Sequence, residues 1–262
     1  MKTLTTARGG IATPSLTPSS ISTFRVEWVG GMWYHPSQVD LLSDHLKESG
    51  IRLQVPHAAE NAFSGNLTFN QFVDQKTEKI ERHGVDTFLI CHSYGIHAAA
   101  RIAEKTSLVK GIVSLATGAH LGIWTNLEPR VISWDVIKAL VCGKTFDVPH
   151  QHQEFLRDGA RCKLGTASGK VLRKAIFPFL LGYKTPMLRS LKSRTHLIIP
   201  MDDRLIPLTV AKQIAIEHGA EASSFVHGGH FAHSDHRFSR EIGRAVAWVG
   251  GSWIAPYTNH RN

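Results

Sequence analysis

Cysteine is scarce in this 262-residue chain: Cys91, Cys142 and Cys162 are the only three, and they show no metal or redox spacing. A disulfide framework is not expected, and the composition suits a reducing, cytoplasmic setting. Long apolar runs are missing too. The longest patch, near Ala175 to Tyr183, is interrupted by Pro178 and Gly182, so no segment reads as transmembrane. Acidic residues are outnumbered, 21 against 30 Lys and Arg, for a formal charge of +9. Basic residues gather at Lys170, Arg173 and Lys174, and again at Lys184, Arg189, Lys192 and Arg194. They lack the interleaved aromatics that nucleic-acid binding would use, so no nucleic-acid partner is expected. The excess charge suits an anionic substrate, a carrier protein or a lipid headgroup. Residues 1–22 contain no acid, carry only Lys2 and Arg8 as charges, and hold no apolar core of a secretory signal. They read as a disordered tail.

What is present is an alternation of strand and helix patterns from Phe24 onward. Phe24–Val29 reads as a strand stopped by Gly30-Gly31, Ser37–Ser49 as a helix, and Ile51–Val55 as a strand closed by Pro56. A helix over Phe69–Arg82, a strand over Thr87–Cys91 and a buried strand over Val109–Ala116 follow. From Thr117 to about Lys192 the alternation breaks, with no good strand. It resumes with a strand at His196–Pro200, a helix at Leu208–His218, a strand at Ser223–Val226 and a last helix at Arg237–Val249. Alternating units of this kind imply one α/β domain, residues 23–262, built on a mostly parallel open sheet flanked by helices. The interruption, about 118–192, reads as an inserted helical cap.

The strand ending at Cys91 runs into Cys91-His92-Ser93-Tyr94-Gly95, and a helical pattern begins at once. Such a turn holds a serine hydroxyl exposed at the carboxyl edge of a sheet, and the crowding demands small residues two before and two after it. Gly95 meets that demand fully and Cys91 acceptably. A serine needs a base, and the base needs an orienting group. Asp202 and Asp203 follow the strand His196–Pro200, and His230 follows the strand Ser223–Val226 in Gly228-Gly229-His230-Phe231. All lie at strand carboxyl ends, where an open parallel sheet places its site. Pro207, four residues after Asp203, favours Asp203 over Asp202 as the acid. Cys91 itself reads as a buried small residue, and His92 either as a packing or hydrogen-bonding residue or as a flank of the pocket.

With these residues in place, the chain from Phe24 onward resembles the α/β-hydrolase fold superfamily, in particular its small lysophospholipase-like and esterase-like members. The nucleophile motif of that family, Gly-x-Ser-x-Gly, maps onto Cys91 to Gly95, its acid motif onto Pro200 to Asp203, and its Gly-His pair onto Gly229-His230. The resemblance implies a serine hydrolase with Ser93, His230 and Asp203 as catalytic triad. The family's His-Gly after the early strand maps onto Gly30-Gly31. Met32 and Tyr94 would then supply the oxyanion N–H groups. The implied substrate is a carboxylic ester or thioester with a hydrophobic part. Acyl transfer, lyase or cyclase chemistry, and a non-catalytic binding role, are the alternatives. No cofactor is implied, and a monomer or homodimer is expected.

Apolar residues of the cap should mostly pack between cap and sheet, with a subset lining a pocket above Ser93. Trp33, Tyr34, Trp124 and Phe177 are the candidate substrate-binding residues. The histidines at 227, 230, 233 and 236 recur every third residue, and His150 and His152 form a pair. No Cys, Asp or Glu joins them in a zinc-binding pattern, and a strand-to-loop segment would not converge all four, so no metal is expected. Ser234 and Asp235 read as caps of the last helix.

Overall fold

The computed structural model describes residues 24–64, 66–117, 137–138, 141–147, 162–171, 194–218 and 222–258. The expected N-terminal tail and most of the expected cap, including Trp124, His150, His152 and Phe177, lie outside the described residues.

Six strands form one parallel sheet: β1 (Phe24–Val29), β2 (Leu53–Gln54), β3 (Asp86–His92), β4 (Val109–Leu115), β7 (Arg194–Pro200) and β8 (Ala222–Val226), in the spatial order β2-β1-β3-β4-β7-β8. The chain leaves β1 toward β2 on one side and returns to β3 on the other. The strand order therefore reverses at the β1–β3 pair, and the crevice of such a sheet opens there, outside the carboxyl ends.

Both faces of the sheet are covered, and the period-2 alternation of the strands sorts side chains between two cores. Leu89 and Cys91 of β3 face one core with Phe72, Val73 and Ile80 of α2 (Phe69–His83), Ile96 and Ile102 of α3 (Gly95–Lys105), and Val210 and Ile214 of α4 (Leu208–His218). Phe88 and Ile90 face the other with Trp28, with Leu42 and Leu46 of α1 (Asp40–Glu48), and with Ile242 and Val246 of α5 (Ser239–Thr258). By the same alternation His92 falls on the α1–α5 side, with Trp28.

Local chemistry explains the helix bounds. Thr68 and Gln71 form a reciprocal capping box at the start of α2, and Gly84 ends it at φ 64°. The helix expected over Ser37–Ser49 begins instead as a 3-10 turn, Pro36–Val39, with the His35 imidazole accepting from the Ser37 N–H, and becomes α-helical at Asp40. The last helix starts two residues later and runs nine residues further than its sequence pattern suggested. Asp235 does not cap it directly. Its Oδ1 accepts from the Arg237 N–H at 2.8 Å, closing the turn before the helix. Packing carries α5 along α1: a Cβ on Gly243 would stand 2.7 Å from His45 Cβ.

One expectation needs correction. The stretch from Thr117 to Lys192 does contain strands, β5 (Thr145–Phe146) and β6 (Ala167–Ser168), paired antiparallel. Two residues each are too few to leave a periodic trace in sequence. The segment after Cys162 then packs against the loop that follows β1. The Gly165 N–H donates to the Trp33 carbonyl at 2.8 Å, and the Ser168 N–H to that of Phe63 at 2.9 Å. Among the described residues, no helix is long and apolar enough to cross a membrane.

Candidate active site

Ser93 follows β3 directly, at φ 52° and 4% exposed. A left-handed conformation is strained for a residue with a Cβ, and such strain persists only where surrounding structure enforces it. Here the Ser93 N–H donates to the Leu115 carbonyl at 2.9 Å, tying the turn to the end of β4. Gly95 lets α3 begin at once: a Cβ there would lie 2.4 Å from the Val29 carbonyl oxygen. The small-residue requirement read from the motif is thus a close approach of α3 to the end of β1. Trp33 (φ 54°) and Ala116 (φ 46°) are the other described non-glycine residues with positive φ. They follow β1 and β4, so strained backbone gathers at the carboxyl edge of the central strands.

Asp203 and His230 come from loops joined by backbone bonds. The Met201 N–H donates to the Val226 carbonyl at 2.8 Å, and the Asp202 N–H to that of Gly228 at 3.1 Å. The Asp202 carboxylate accepts from the Gly228 N–H at 2.9 Å, which occupies it with loop structure. Asp203 is the acid that faces the imidazole. His230 Nδ1 donates to Asp203 Oδ2 at 2.8 Å, while Asp203 Oδ1 accepts from the N–H groups of Leu205 (2.8 Å) and Ile206 (2.9 Å). Both residues are 4% exposed. A carboxylate only accepts, so Nδ1 carries the hydrogen and the neutral ring keeps its free lone pair on Nε2.

His92 brings this pair to the serine turn. Its Nε2 donates to the His230 carbonyl at 2.9 Å, and the two rings lie 4.7 Å apart between centroids. Burial holds the His92 imidazole well below its ordinary pKa, with the charges of His233 and His230 adding in the same direction. A neutral ring with its proton on Nε2 is therefore the donor. His233 stands 4.6 Å from His92, and burial, with the charge of His230, pushes it down to about 3. The packing or hydrogen-bonding role read for His92 from the sequence is the one it has, whereas nothing in the sequence marked His233 as its neighbour.

Of the four spaced histidines, His230 and His233 are buried and His227 and His236 exposed, so they do not converge. No group of three or more His, Cys, Asp or Glu suited to a metal occurs among the described residues. Burial pushes the Cys91 thiol up to about 12, which leaves it protonated and inert.

The loop after β1 presses on the turn. A Cβ on Gly31 would meet the His92 carbonyl oxygen at 2.7 Å, Ser93 Cβ at 3.0 Å and the Tyr94 nitrogen at 3.2 Å. The backbone reaching Met32 therefore runs beside the Tyr94 N–H, which stands at the amino end of α3 where no intrahelical acceptor exists. Met32 is partly buried against the α2–α3 core, as is the largely buried Trp33. Tyr34 packs into the other core, and its hydroxyl donates to the Pro56 carbonyl at 2.9 Å. Its contacts are those of a core residue rather than of a pocket wall. A cleft of about 530 Å³ borders Asp203, Arg204 and Arg237 but neither Ser93 nor His230.

The fold built on this strand order is shared with known structures. The chain has the α/β-hydrolase fold. A monoacylglycerol lipase from Paleococcus ferrophilus is similar over 88% of this chain and 94% of its own, with a TM-score of 0.64 at 17% identity. The pyrethroid hydrolase PytH is similar over 86% of this chain and 97% of its own, with a TM-score of 0.61 at 16% identity. A tomato methylketone synthase I variant complexed with β-ketoheptanoate covers 89% and 98%, with a TM-score of 0.64 at 9% identity. No family model matches the chain, and no curated protein matches its sequence.

Proposed function

We propose that this protein is a serine hydrolase of carboxylic esters or thioesters with a hydrophobic acyl or alcohol part. The observation that carries this reading is the buried Asp203–His230 pair, bonded at 2.8 Å and clamped to His92, the residue next to Ser93. In this mechanism His230 Nε2 takes the Ser93 proton as Oγ attacks the carbonyl carbon. Asp203 holds the tautomer and stabilises the imidazolium. The N–H groups of Met32 and Tyr94 receive the oxyanion. As the C–O or C–S bond breaks, the imidazolium returns its proton to the leaving alcohol or thiol. Water, deprotonated by the same nitrogen, then frees the acid and restores Ser93.

Trp33 would border the acyl side, and the net charge of +9 suits a substrate that also carries an anionic group. The test is labelling with a fluorophosphonate, together with turnover of p-nitrophenyl esters of increasing chain length. Ser93 should be modified, Ser93→Ala should not label, and longer acyl chains should raise kcat/KM. A folded wild-type protein that stays unlabelled, or a Ser93→Ala variant that labels equally, overturns the proposal. The methylketone synthase among the similar structures favours one second reading, non-hydrolytic chemistry at the same site. A labelled Ser93 with every ester inert would select it.

A further inference from the structure

Asn61 is the residue the sequence left unremarked and the structure places against the serine turn. It follows the short 3-10 turn Ala58–Glu60 after β2, is 3% exposed, and donates through Nδ2 to the Gly31 carbonyl at 2.9 Å. Its backbone carbonyl accepts from the Ser64 N–H at 3.1 Å and the Ser64 hydroxyl at 2.9 Å, so the main chain of the residue is anchored from behind. The Gly31 carbonyl belongs to the same peptide unit as the Met32 N–H. The chain has no cis peptide bonds among the described residues, and in a trans unit the C=O and N–H point in opposite directions. A donor fastened to the Gly31 oxygen therefore fixes the direction of the Met32 N–H, which faces away from Asn61.

The same glycine lies against Ser93 Cβ and the Tyr94 nitrogen, so the fixed peptide borders the place where a tetrahedral oxygen on Ser93 would sit. We infer that Asn61 is a positioning residue for the oxyanion donor Met32, an assignment that rests on the hydrolase reading above. The amide acts in two ways. It removes the freedom of the Gly31–Met32 peptide to rotate, which glycine otherwise permits. It also polarises that peptide, since a hydrogen bond accepted by a carbonyl strengthens the donor at the other end of the unit. Neither effect touches the ground-state acyl chain. Both are expressed as negative charge develops on the carbonyl oxygen.

The test compares wild type, Asn61→Ala and Asn61→Asp for hydrolysis of p-nitrophenyl butyrate and for the rate of phosphonylation by a fluorophosphonate. Asn61→Ala should lower kcat by about 10- to 100-fold, less than the about 10²–10³ of losing a donor outright, with KM within about 2-fold. Asn61→Asp turns a carboxylate oxygen toward the Gly31 oxygen and should be slower still at pH 8. Its activity relative to wild type should rise as pH falls, because the protonated carboxyl can again donate. A side chain that merely fills space would show no such pH-dependent ratio. In the phosphonylated wild type, a crystal structure should place the phosphoryl oxygen within hydrogen-bond distance of the Met32 nitrogen, a measurement that needs no variant to fold. Wild-type labelling with kcat of a folded Asn61→Ala unchanged, or an adduct whose oxygen points away from Met32, overturns this assignment alone. A wild type that neither labels nor turns over ester overturns the hydrolase reading and this assignment with it.

Discussion

Glu27 and Lys76, inside the molecule, and Asp203 and His230, at its edge, are both buried acid–base pairs, yet they are built differently. Glu27 sits in the middle of β1, on the face toward α2, where Lys76 and then Arg25 reach its carboxylate. Burial pushes the Glu27 carboxyl up, but the adjacent cations pull it below the usual carboxylate range. Burial likewise lowers the Lys76 ammonium, and Glu27 offsets this only in part, so it stays below the ordinary lysine range. Each charge consumes the other, and the pair fixes how α2 lies on β1. Asp203 divides its oxygens between two backbone N–H groups and one imidazole nitrogen, so the imidazole keeps a lone pair for chemistry. Burial and opposite charge alone do not mark a site. Position at the carboxyl ends of the strands, with one ring nitrogen not engaged by the acid, is what the proposed role of Asp203 and His230 rests on.

The comparison breaks most visibly through Asp203. Asp203→Asn keeps an acceptor for the Leu205 and Ile206 N–H groups but permits the wrong imidazole tautomer. Ester turnover should fall by about 10⁴, close to 5.5 kcal/mol in barrier, with a nearly unchanged urea midpoint. A fall below about 10-fold would show that His230 does not depend on this acid. Replacing Lys76 with Met should do the reverse. A buried carboxylate left with Arg25 alone should cost up to about 3–5 kcal/mol in urea unfolding, with kcat per folded molecule retained, whereas Glu27→Leu combined with Lys76→Met should recover most of that loss. Equal loss in the single and double variants would refute the pairing as the cause.

The smallest effect concerns a buried base with no acid beside it. His233 Nε2 has no hydrogen-bond partner among the described residues, and its folded pKa of about 3 lies below the ordinary value near 6.5. Between these values the unfolded chain binds a proton that the folded chain does not. Stability therefore falls as pH drops from about 6.5 toward 3, by about 1.4 kcal/mol per pH unit for this one group. His92, lowered for the same reason, adds in the same direction. His233→Leu should lessen the acid slope of urea-derived stability by up to that amount between pH 6 and pH 4. Parallel slopes for variant and wild type would overturn the claim.

Much of this was legible in advance, and the reason is range. The apolar run before Ser93, the glycine two residues after it and the stops at Gly30 and Pro56 act over a few residues, so strand order in sequence, the α/β class and the serine turn follow from local pattern. The two-residue strands β5 and β6 were too short to leave a period, and the shift of α1 to Asp40 depended on the 3-10 turn that Pro36 and the His35 side chain hold. Between Asp202 and Asp203 the sequence offered only the spacing to Pro207, which favoured Asp203. The loop geometry separated them, giving one to the Gly228 N–H and the other to His230.

The sequence by itself determined the alternating units, the parallel sheet they build and the presence of a serine, an acid and a histidine at strand carboxyl ends. Only the tertiary structure decided which groups meet. The bonds that do so join Asn61 to Gly31 across 30 residues, Asp203 to His230 across 27 and His92 to His230 across 138. No residue-to-residue periodicity spans such separations. They are set when the two cores close on the sheet and bring its loops to a common edge.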